Sequence, residues 1–487
     1  MKLYYLKKAE ENLPPLLSKK ISPVMENTVL TLGDSLTIDL GNHYVGYFSF
    51  KLWYVDMYID APVTMSVRFC ETKRELDDNY SDYKGALCKS WLQEDIINVD
   101  FPGRYEMPRR YAARYIKISI INTPQRLSLS EFYFNAVSSA EESALVELDI
   151  SDNELKTIDK ISVNTLKNCM QRVFEDGPKR DRRLWIGDLR LEALTNYYTF
   201  QNYKLIKRCL YLFAAADRNA FGFMPGYVYE NPIFVSGYWF IEDYNLMYVC
   251  SLCDYYDHTK DKDTFYDLYP VAKSIMDSME TILNDLGLVT TRGGSAFVDW
   301  CPGLNKTTSL QGIYLYTLEH WLNVLETLDY GDSDIYRQRL INGRNASLKH
   351  LYDDKINSFI NEADGHQYSV HSTVWMILGG VITGSKAKDA LISALSSTDS
   401  LKPFSPYMHH YVVEALVKLG EIDAAEQHIR RIWGGMAKLG ANTFSEIYVP
   451  DDPDFSANGD RKIDSMCHAW SCTPSYFIRK YNLGKEE

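Results

Sequence analysis

What this 487-residue chain lacks already removes several classes of protein. No apolar run approaches the roughly 20 residues a bilayer span requires, and the lysines at Lys2, Lys7 and Lys8 are not followed by the apolar core of a secretory signal. Basic charge is in deficit: 52 Lys and Arg stand against 65 Asp and Glu, a net charge of −13. With no basic patch in view, nucleic acid and anionic membrane surfaces are repelled, so neither is expected as a partner. The nine cysteines are odd in number and scattered, mostly through apolar stretches, unlike the dense, even framework of a disulfide-stapled secreted domain. A reducing, cytoplasmic location is the expectation.

Motifs that would call for a metal or nucleotide are also missing. There is no H-E-x-x-H, Walker loop, G-x-S-x-G or Rossmann glycine fingerprint. Cys250 and Cys253 form a C-x-x-C, but inside an apolar helical pattern with no second pair, and read as core. His409-His410 lies in a helical pattern without a metal-binding partner at the right spacing. No cofactor and no metal site are expected.

What is present is the composition of a folded enzyme-sized chain: 46% hydrophobic and 24% charged residues, in a length that allows two or three domains. Aromatics reach 13%, with 36 Tyr and 9 Trp, which suits a cleft that stacks on flat faces; sugar rings qualify, as do other ligands. From about 22 to 137 the signals are strand-like: 28–32, 35–40, 44–52 and 63–69 are short β-branched or aromatic runs punctuated by Gly, Asn, Asp and Pro. In 111–121, Tyr115, Lys117 and Ser119 alternate with Ile116, Ile118 and Ile120, as in a strand with one covered face. That spacing predicts an N-terminal all-β sandwich over 1–145, ending in a linker at 138–143.

After Ser151 the period changes from two to about 3.6. Ser151 and Glu154 form a capping-box pattern ahead of an apolar stripe at Leu155, Ile158, Ile161, Leu166, Cys169 and Val173. About twelve helical patterns follow, which as six hairpins predict an all-α (α/α)6 barrel over 146–487. The longest connections, 174–187, 218–237, 286–307, 353–368 and 438–467, are where chemistry is expected.

Two of them stand out. Asp176-Gly-Pro-Lys-Arg180-Asp181-Arg-Arg-Leu-Trp185-Ile-Gly-Asp188 gathers carboxylates, arginines and a tryptophan where Gly and Pro bend the chain. Gly440-Ala-Asn-Thr-Phe-Ser-Glu446, with His468-Ala-Trp470-Ser downstream, offers a second carboxylate. By composition alone both also read as solvated loops. Hydrolysis of a glycosidic bond takes two carboxyl groups, one to protonate the leaving oxygen and one to activate water or attack. These two clusters could meet only if the helical domain closes on itself. Asp299-Trp300 and Trp239 with Asp243 could line a cleft, although taken singly each reads as structural.

The segment 176–188 resembles the hallmark of the inverting α-L-rhamnosidases of glycoside hydrolase family 78, and 440–446 with Cys467-His-Ala-Trp-Ser resembles that family's second signature. Asp39-Leu-Gly-Asn-His-Tyr-Val-Gly-Tyr-Phe-Ser-Phe and Pro108-Arg-Arg-Tyr-Ala-Ala-Arg-Tyr-Ile-Lys-Ile are similar to the accessory β-domain of compact members, which lack the C-terminal β-domain of larger ones. The resemblance implies that Asp181 is the general acid and Glu446 the general base. It further implies that Asp176, Arg180, Asp188 and His468 hold rhamnose hydroxyls, with Asp243 and Asp299 as further substrate-binding residues. Trp185, Trp239 and Trp300 would wall the sugar and its 6-methyl group, a contact that leaves no hydroxyl unpaired. Inversion calls for carboxyl groups roughly 6.5–9.5 Å apart, with the acid holding its proton near neutral pH. Three departures from the family pattern are visible: Asp181 where Glu is common, Gly177 where many members have Cys, and Ser445 where an aromatic is common. The substrate class implied is small rhamnosides, and compact relatives imply a homodimer. An inverting hydrolase for another 6-deoxy or pentose sugar, and a non-catalytic sugar-binding protein, are the alternatives.

Overall fold

The computed structural model describes every residue except 57–60, 293 and 486–487. Its N-terminal part holds eight strands: β1 (Leu17–Ile21), β2 (Thr28–Leu30), β3 (Ser35–Tyr54), β4 (Val63–Cys70), β5 (Glu94–Val99), β6 (Gly103–Glu106), β7 (Tyr111–Asn122) and β8 (Leu127–Ser138). They share one antiparallel hydrogen-bond network ordered β1-β8-β3-β7-β4-β5, with β2 on β8 and β6 on β3. The alternation in β7 works as its sequence implies: Ile116, Ile118 and Ile120 enter the apolar interior with Phe48, Phe50, Val67 and Phe69, while Tyr115, Lys117 and Ser119 stay half-buried.

Two expectations are corrected here. The runs 35–40 and 44–52 are one strand of 20 residues, not two. The Gly41-Asn42 step reads as a turn but is a bulge: the register against β7 shifts between Asp39 and Tyr44, and Asp39 Oδ1 accepts the Gly41 N–H. The strand then continues, leaving β7 for β8 and β6. Second, α1 (Lys2–Glu11) precedes the sheet yet packs on the helical part. Tyr5 and Ala9 join its core, and Arg208 Nη1 donates to the Ala9 carbonyl at 2.8 Å.

The helical part comprises α2 (Asn153–Cys169), α3 (Ile186–Tyr197), α4 (Tyr203–Ala214), α5 (Glu242–Thr259), α6 (Lys262–Thr281), α7 (Thr307–Thr327), α8 (Ser333–Leu351), α9 (Val370–Leu378), α10 (Gly384–Ser396), α11 (Pro406–Lys418), α12 (Ile422–Lys438) and α13 (Pro474–Tyr481). The cap of α2 is Asp152, whose side chain accepts the Leu155 N–H, and not Ser151. A carboxylate one residue nearer the first turn takes that role. Helices α5 and α9 are buried almost all round, whereas α6 and α12 bury one face. The former sit inside: α3 packs on α5, α5 on α7, α7 on α9 and α9 on α11, while the turn Ala469–Cys472 and α13 return to α3. Helices α6, α8, α10 and α12 pack outside, each on the helix before it, while α4 packs mainly on α1 and α2 on α12, α13 and the 469–472 turn.

Cys250 and Cys253 lie buried in α5, with Cys250 Sγ 3.4 Å from Thr317 Oγ1 of α7. His409 and His410 are buried in α11. His409 Nδ1 meets His428 Nε2 of α12 at 2.9 Å, and His410 Nε2 lies 3.5 Å from Glu414. No helix is long and apolar enough to cross a membrane, among the described residues.

Candidate active site

The connection between α2 and α3 is closed by the carboxylate of Asp176. Asp176 Oδ2 accepts the backbone N–H of Asp181 and Oδ1 that of Arg183, both at 3.0 Å. Gly177 permits this closure, because a Cβ there would lie 2.2 Å from the Arg180 carbonyl oxygen and 2.9 Å from Ser465 Oγ. Any side chain there would force this loop to shift.

The second motif begins where Gly440, at φ +85°, ends α12 in a conformation that favours glycine. From there Phe444 N–H donates to Thr165 Oγ1, and Glu446 is fixed through its backbone: its N–H donates to Ser465 O at 3.0 Å and its carbonyl accepts from Trp470 Nε1 at 2.9 Å. Ser445 points away from the cleft, its Oγ donating to Ile447 O. The two motifs are then stitched together by Ala469 N–H to Asp176 O at 2.7 Å, Ser465 Oγ to Arg180 O at 2.9 Å and Arg180 Nε to Ile463 O at 2.9 Å.

These contacts place Asp181 and Glu446 at one cleft of about 290 Å³. Arg180 stands between them: Nη2 is hydrogen-bonded to Glu446 Oε2, and Nη1 lies 3.6 Å from Asp181 Oδ1. Arg183 Nη1 lies 3.6 Å from the other Asp181 oxygen. One wall is aromatic. A small sheet of β9 (Leu184–Trp185), β10 (Tyr227–Tyr229) and β11 (Val235–Ser236) presents Trp185, with Trp239 edge-on to it at 5.9 Å and Tyr227 at 4.5 Å. Trp300 meets Phe297 edge-on at 5.0 Å, and Phe297 stacks on Trp470.

Burial, reinforced by the Asp181 charge, pushes the Asp176 carboxyl up to about 8. Burial and the charges of Asp176 and Glu446 push Asp188 well above the carboxylate range, toward the protonated acid. Burial and Arg180 hold His468 well below its usual value, as a neutral imidazole. Burial opposes the charge on Arg180, but Glu446 and Asp181 outweigh it. Among the described residues, five buried polar atoms of the cleft find no hydrogen-bond partner within the chain: Arg183 Nε, Trp185 Nε1, Trp300 Nε1, Asp188 Oδ1 and His468 Nδ1. Buried polar groups of that kind are costly unless something polar meets them, and a ring of hydroxyls would.

Nine of the eleven residues singled out from the sequence line this cleft: Asp176, Arg180, Asp181, Trp185, Asp188, Trp239, Trp300, Glu446 and His468. Asp243 and Asp299 do not. Asp243 accepts the backbone N–H groups of Phe297 and Val298 at 2.8 and 2.9 Å. Asp299 accepts from His371 Nε2, Phe404 N–H, Ser405 N–H and Ser405 Oγ. Both carboxylates are consumed in holding the 286–306 connection, so their work is structural.

Sequence reasoning missed Arg183, Tyr227, Tyr238, Tyr244, Phe297, Asn458, Trp470 and Leu87. Trp470 and Arg183 sit inside the motifs and Tyr238 beside Trp239, so adjacency could have found them. Leu87 comes from the β-domain, and nothing local marks it. That domain also reaches under the loop that carries Asp181: Lys179 Nζ donates to Glu75 Oε1 at 2.7 Å and to the carbonyls of Lys462 and Asp464, while Glu71 accepts Met466 N–H at 2.6 Å. Among the described residues, no group of three or more His, Cys, Asp or Glu is arranged to hold a metal ion.

Known proteins share this fold. Residues 17–137 match the glycosyl hydrolase family 78 alpha-rhamnosidase N-terminal domain, and residues 145–481 the bacterial alpha-L-rhamnosidase 6 hairpin glycosidase domain. The chain is similar to a rhamnosidase from Klebsiella oxytoca solved with rhamnose bound, with 35% identity, TM-score 0.95 and 99% of each chain covered. Its fold is also that of the family 78 rhamnosidase of Bacillus sp. GL1, at 24% identity and TM-score 0.78, covering 94% of this chain and 47% of that one. A Streptomyces avermitilis alpha-L-rhamnosidase complexed with L-rhamnose shares the fold at 15% identity and TM-score 0.69, covering 96% and 44%. No match was found among curated protein sequences. With both domain matches in sequence order and a relative aligned end to end, the chain belongs to glycoside hydrolase family 78, the α-L-rhamnosidases.

Proposed function

We propose that the protein removes terminal α-L-rhamnose from small rhamnosides with inversion, Asp181 acting as general acid and Glu446 as general base. The observation that carries this reading is the single guanidinium of Arg180 set between the two carboxyl groups in one tryptophan-walled cleft. A pair of carboxyl groups held apart by a guanidinium suits an inverting mechanism, whose two groups stand roughly 6.5–9.5 Å apart with room for a water. Asp181 gives its proton to the glycosidic oxygen as the bond from that oxygen to C1 breaks. Glu446 takes a proton from the water whose oxygen bonds to C1 from the opposite face. The products are β-L-rhamnose and the free alcohol, and the positive charge that develops on the ring is spread over C1 and O5.

The other cleft residues fit this task. Asp176, Asp188 and His468 offer hydrogen bonds to ring hydroxyls, Asp188 as a donor when protonated. Indole faces of Trp185, Trp239 and Trp300 suit the apolar faces of the ring and its methyl group, a preference over a CH2OH sugar of roughly 1–3 kcal/mol. The inner and outer helices support an (α/α)6 barrel, whose connections form the cleft, and the strands support a folded-over β-sandwich beside it. Nine unpaired thiols support a reducing, cytoplasmic setting. The exposed, stacked pair Trp53 and Tyr54 supports a homodimer through the β-domain, which sedimentation would test.

The test is hydrolysis of a chromogenic α-L-rhamnoside with the anomer of the first-formed sugar followed by NMR. The wild type yields β-rhamnose first. Asp181→Asn and Glu446→Gln each lose at least a hundredfold in kcat. First-formed α-rhamnose, or full activity in either variant, would overturn the assignment.

A further inference from the structure

The cleft is not the only cavity that Asp181 lines. A second one, of about 560 Å³, lies in the groove between the β-domain and the helical part and shares Asp181 and Arg183 with the first. An acid that protonates the glycosidic oxygen stands beside the bond to the leaving group. With the rhamnose ring on one side of Asp181, the cavity on its other side is where the leaving group extends.

The chemistry of that cavity is unlike the first. Trp91 and Tyr47 of the β-domain and Tyr229 of β10 give flat surfaces for a ring. Three carboxylates line it, and each is already engaged: Glu175 by Arg110 at 2.7 Å, Glu230 by Arg208 at 2.8 Å, and Asp181 by Arg180 and Arg183. Two lining cations remain, Arg172 and Arg182, and among the described residues neither has a carboxylate within ion-pair distance. Arg182 is tethered through Nε to the Pro178 carbonyl at 2.8 Å and reaches Gln93 Oε1 at 3.4 Å with Nη2.

We infer that this groove is the leaving-group subsite and that it selects rhamnosides whose leaving group carries a carboxylate, a uronic acid or a carboxylated aromatic ring, recognised by Arg182 and Arg172. The inference rests on the rhamnosidase reading and deepens it. Burial, with Arg110 close by, also pulls the Arg182 guanidinium down to about 10, so an incoming carboxylate supplies the partner this charge lacks. A planar guanidinium receives a carboxylate with two parallel bonds, which adds direction to the attraction.

The experiment compares 4-carboxyphenyl and 4-carbamoylphenyl α-L-rhamnoside, equal in shape and differing in charge, by product release at 20 and 300 mM salt. The wild type is expected to favour the carboxylate at least tenfold in kcat/KM at low salt, with the ratio shrinking at high salt. Arg182→Gln with Arg172→Gln brings the ratio near one, and Arg172→Gln alone, at an exposed position, lowers it partway. The ratio is read within each variant, so a general loss of activity does not imitate the result. A rhamnosyl-uronic acid set against the matching rhamnosyl-hexose distinguishes a sugar acid from an aromatic one. A wild-type ratio of one or below, or a ratio the double variant leaves unchanged, overturns the inference while rhamnosidase activity stands. Failure to cleave any rhamnoside overturns the activity itself.

Discussion

The β-domain braces the catalytic loops through one buried ion pair, and cutting it has a calculable effect. Side chains of Lys179 and Glu75 are 1% and 2% exposed. Burial works against the Lys179 charge, but Glu75 and Glu71 more than offset it and raise its pKa above the ordinary value. Lys179→Met keeps the length of the side chain and removes the ammonium. It leaves Glu75 charged and unmatched in the interior and takes a donor from the carbonyls of Lys462 and Asp464. Breaking such a pair costs about 3–5 kcal/mol. A cooperative unit of this size unfolds with an entropy of roughly 0.7–1 kcal/mol/K, so the melting temperature drops by about 3–7 °C. Activity suffers too, because Lys179 precedes Arg180 and Asp181, and a shift of about 1 Å there costs on the order of a hundredfold in kcat/KM. Adding Glu75→Met removes the stranded charge and recovers part of the loss, about 1–3 kcal/mol, leaving the cost of two unsatisfied carbonyls. Calorimetry and rhamnoside kinetics on the two single variants and the double variant form the test. A melting point within 1 °C of wild type for Lys179→Met, or additive losses in the double variant, would refute the buttress.

Three further outcomes follow from the site. Gly177→Ala sets a Cβ against the Arg180 carbonyl and should cut kcat/KM about a hundredfold with a lower melting point; unchanged kinetics would show that the loop closes some other way. Asp176→Asn should flatten the pH dependence of stability. The folded chain holds the Asp176 proton up to about pH 8, whereas the unfolded chain releases it near 3.8, so this contribution is complete below about pH 4 and gone above about 8. Between pH 5 and 7 the variant should therefore gain about 3 kcal/mol relative to wild type, which urea unfolding at the two values measures. Asp299→Ala should lower the melting temperature yet leave KM for a small rhamnoside within about twofold, and a large rise in KM would return Asp299 to the substrate.

Legibility followed the range of the interaction that fixes each feature. Helices α2 to α13 were readable because an apolar stripe at a period of 3.6 is a local signal that packing then reinforces. Their ends were less so: Asp152, not Ser151, caps α2, since two neighbouring residues both had suitable oxygens and only the geometry of the first turn chooses. Gly41-Asn42 reads the same whether the chain turns or bulges, and pairing with β7 on both sides decides for the bulge. Helix α1 escaped because its buried residues, Tyr5 and Ala9, are too few to make a stripe. Within the site, the residues of the two motifs were found apart from Arg183 and Trp470, and the β-domain's Leu87 and Glu75 were not. Their place is set by a domain contact that leaves no trace in the local sequence.

Asp243 and Asp299 show what separates a structural carboxylate from a working one. Both are as buried as Asp188, and both lie beside an aromatic residue, Asp243 in the first turn of α5 and Asp299 in a long connection, so neither burial nor composition tells them apart. Hydrogen bonding does. Asp299 accepts four donors and Asp243 two backbone N–H groups, all from groups the fold itself must anchor. Asp188 keeps an oxygen with no partner, facing His468 Nδ1, also unpartnered, across 3.5 Å. A buried polar atom left without a partner costs about 1–3 kcal/mol, and because Asp188 carries that cost on the wall of the cleft, a ligand hydroxyl entering there can meet it. By that criterion Asp188→Asn should weaken rhamnose binding while raising stability, because it removes a buried carboxyl whose ionised form the fold disfavours. Isothermal titration with rhamnose and a melting curve at pH 8 measure both quantities, and a variant that loses stability without losing affinity would place Asp188 with Asp243 and Asp299.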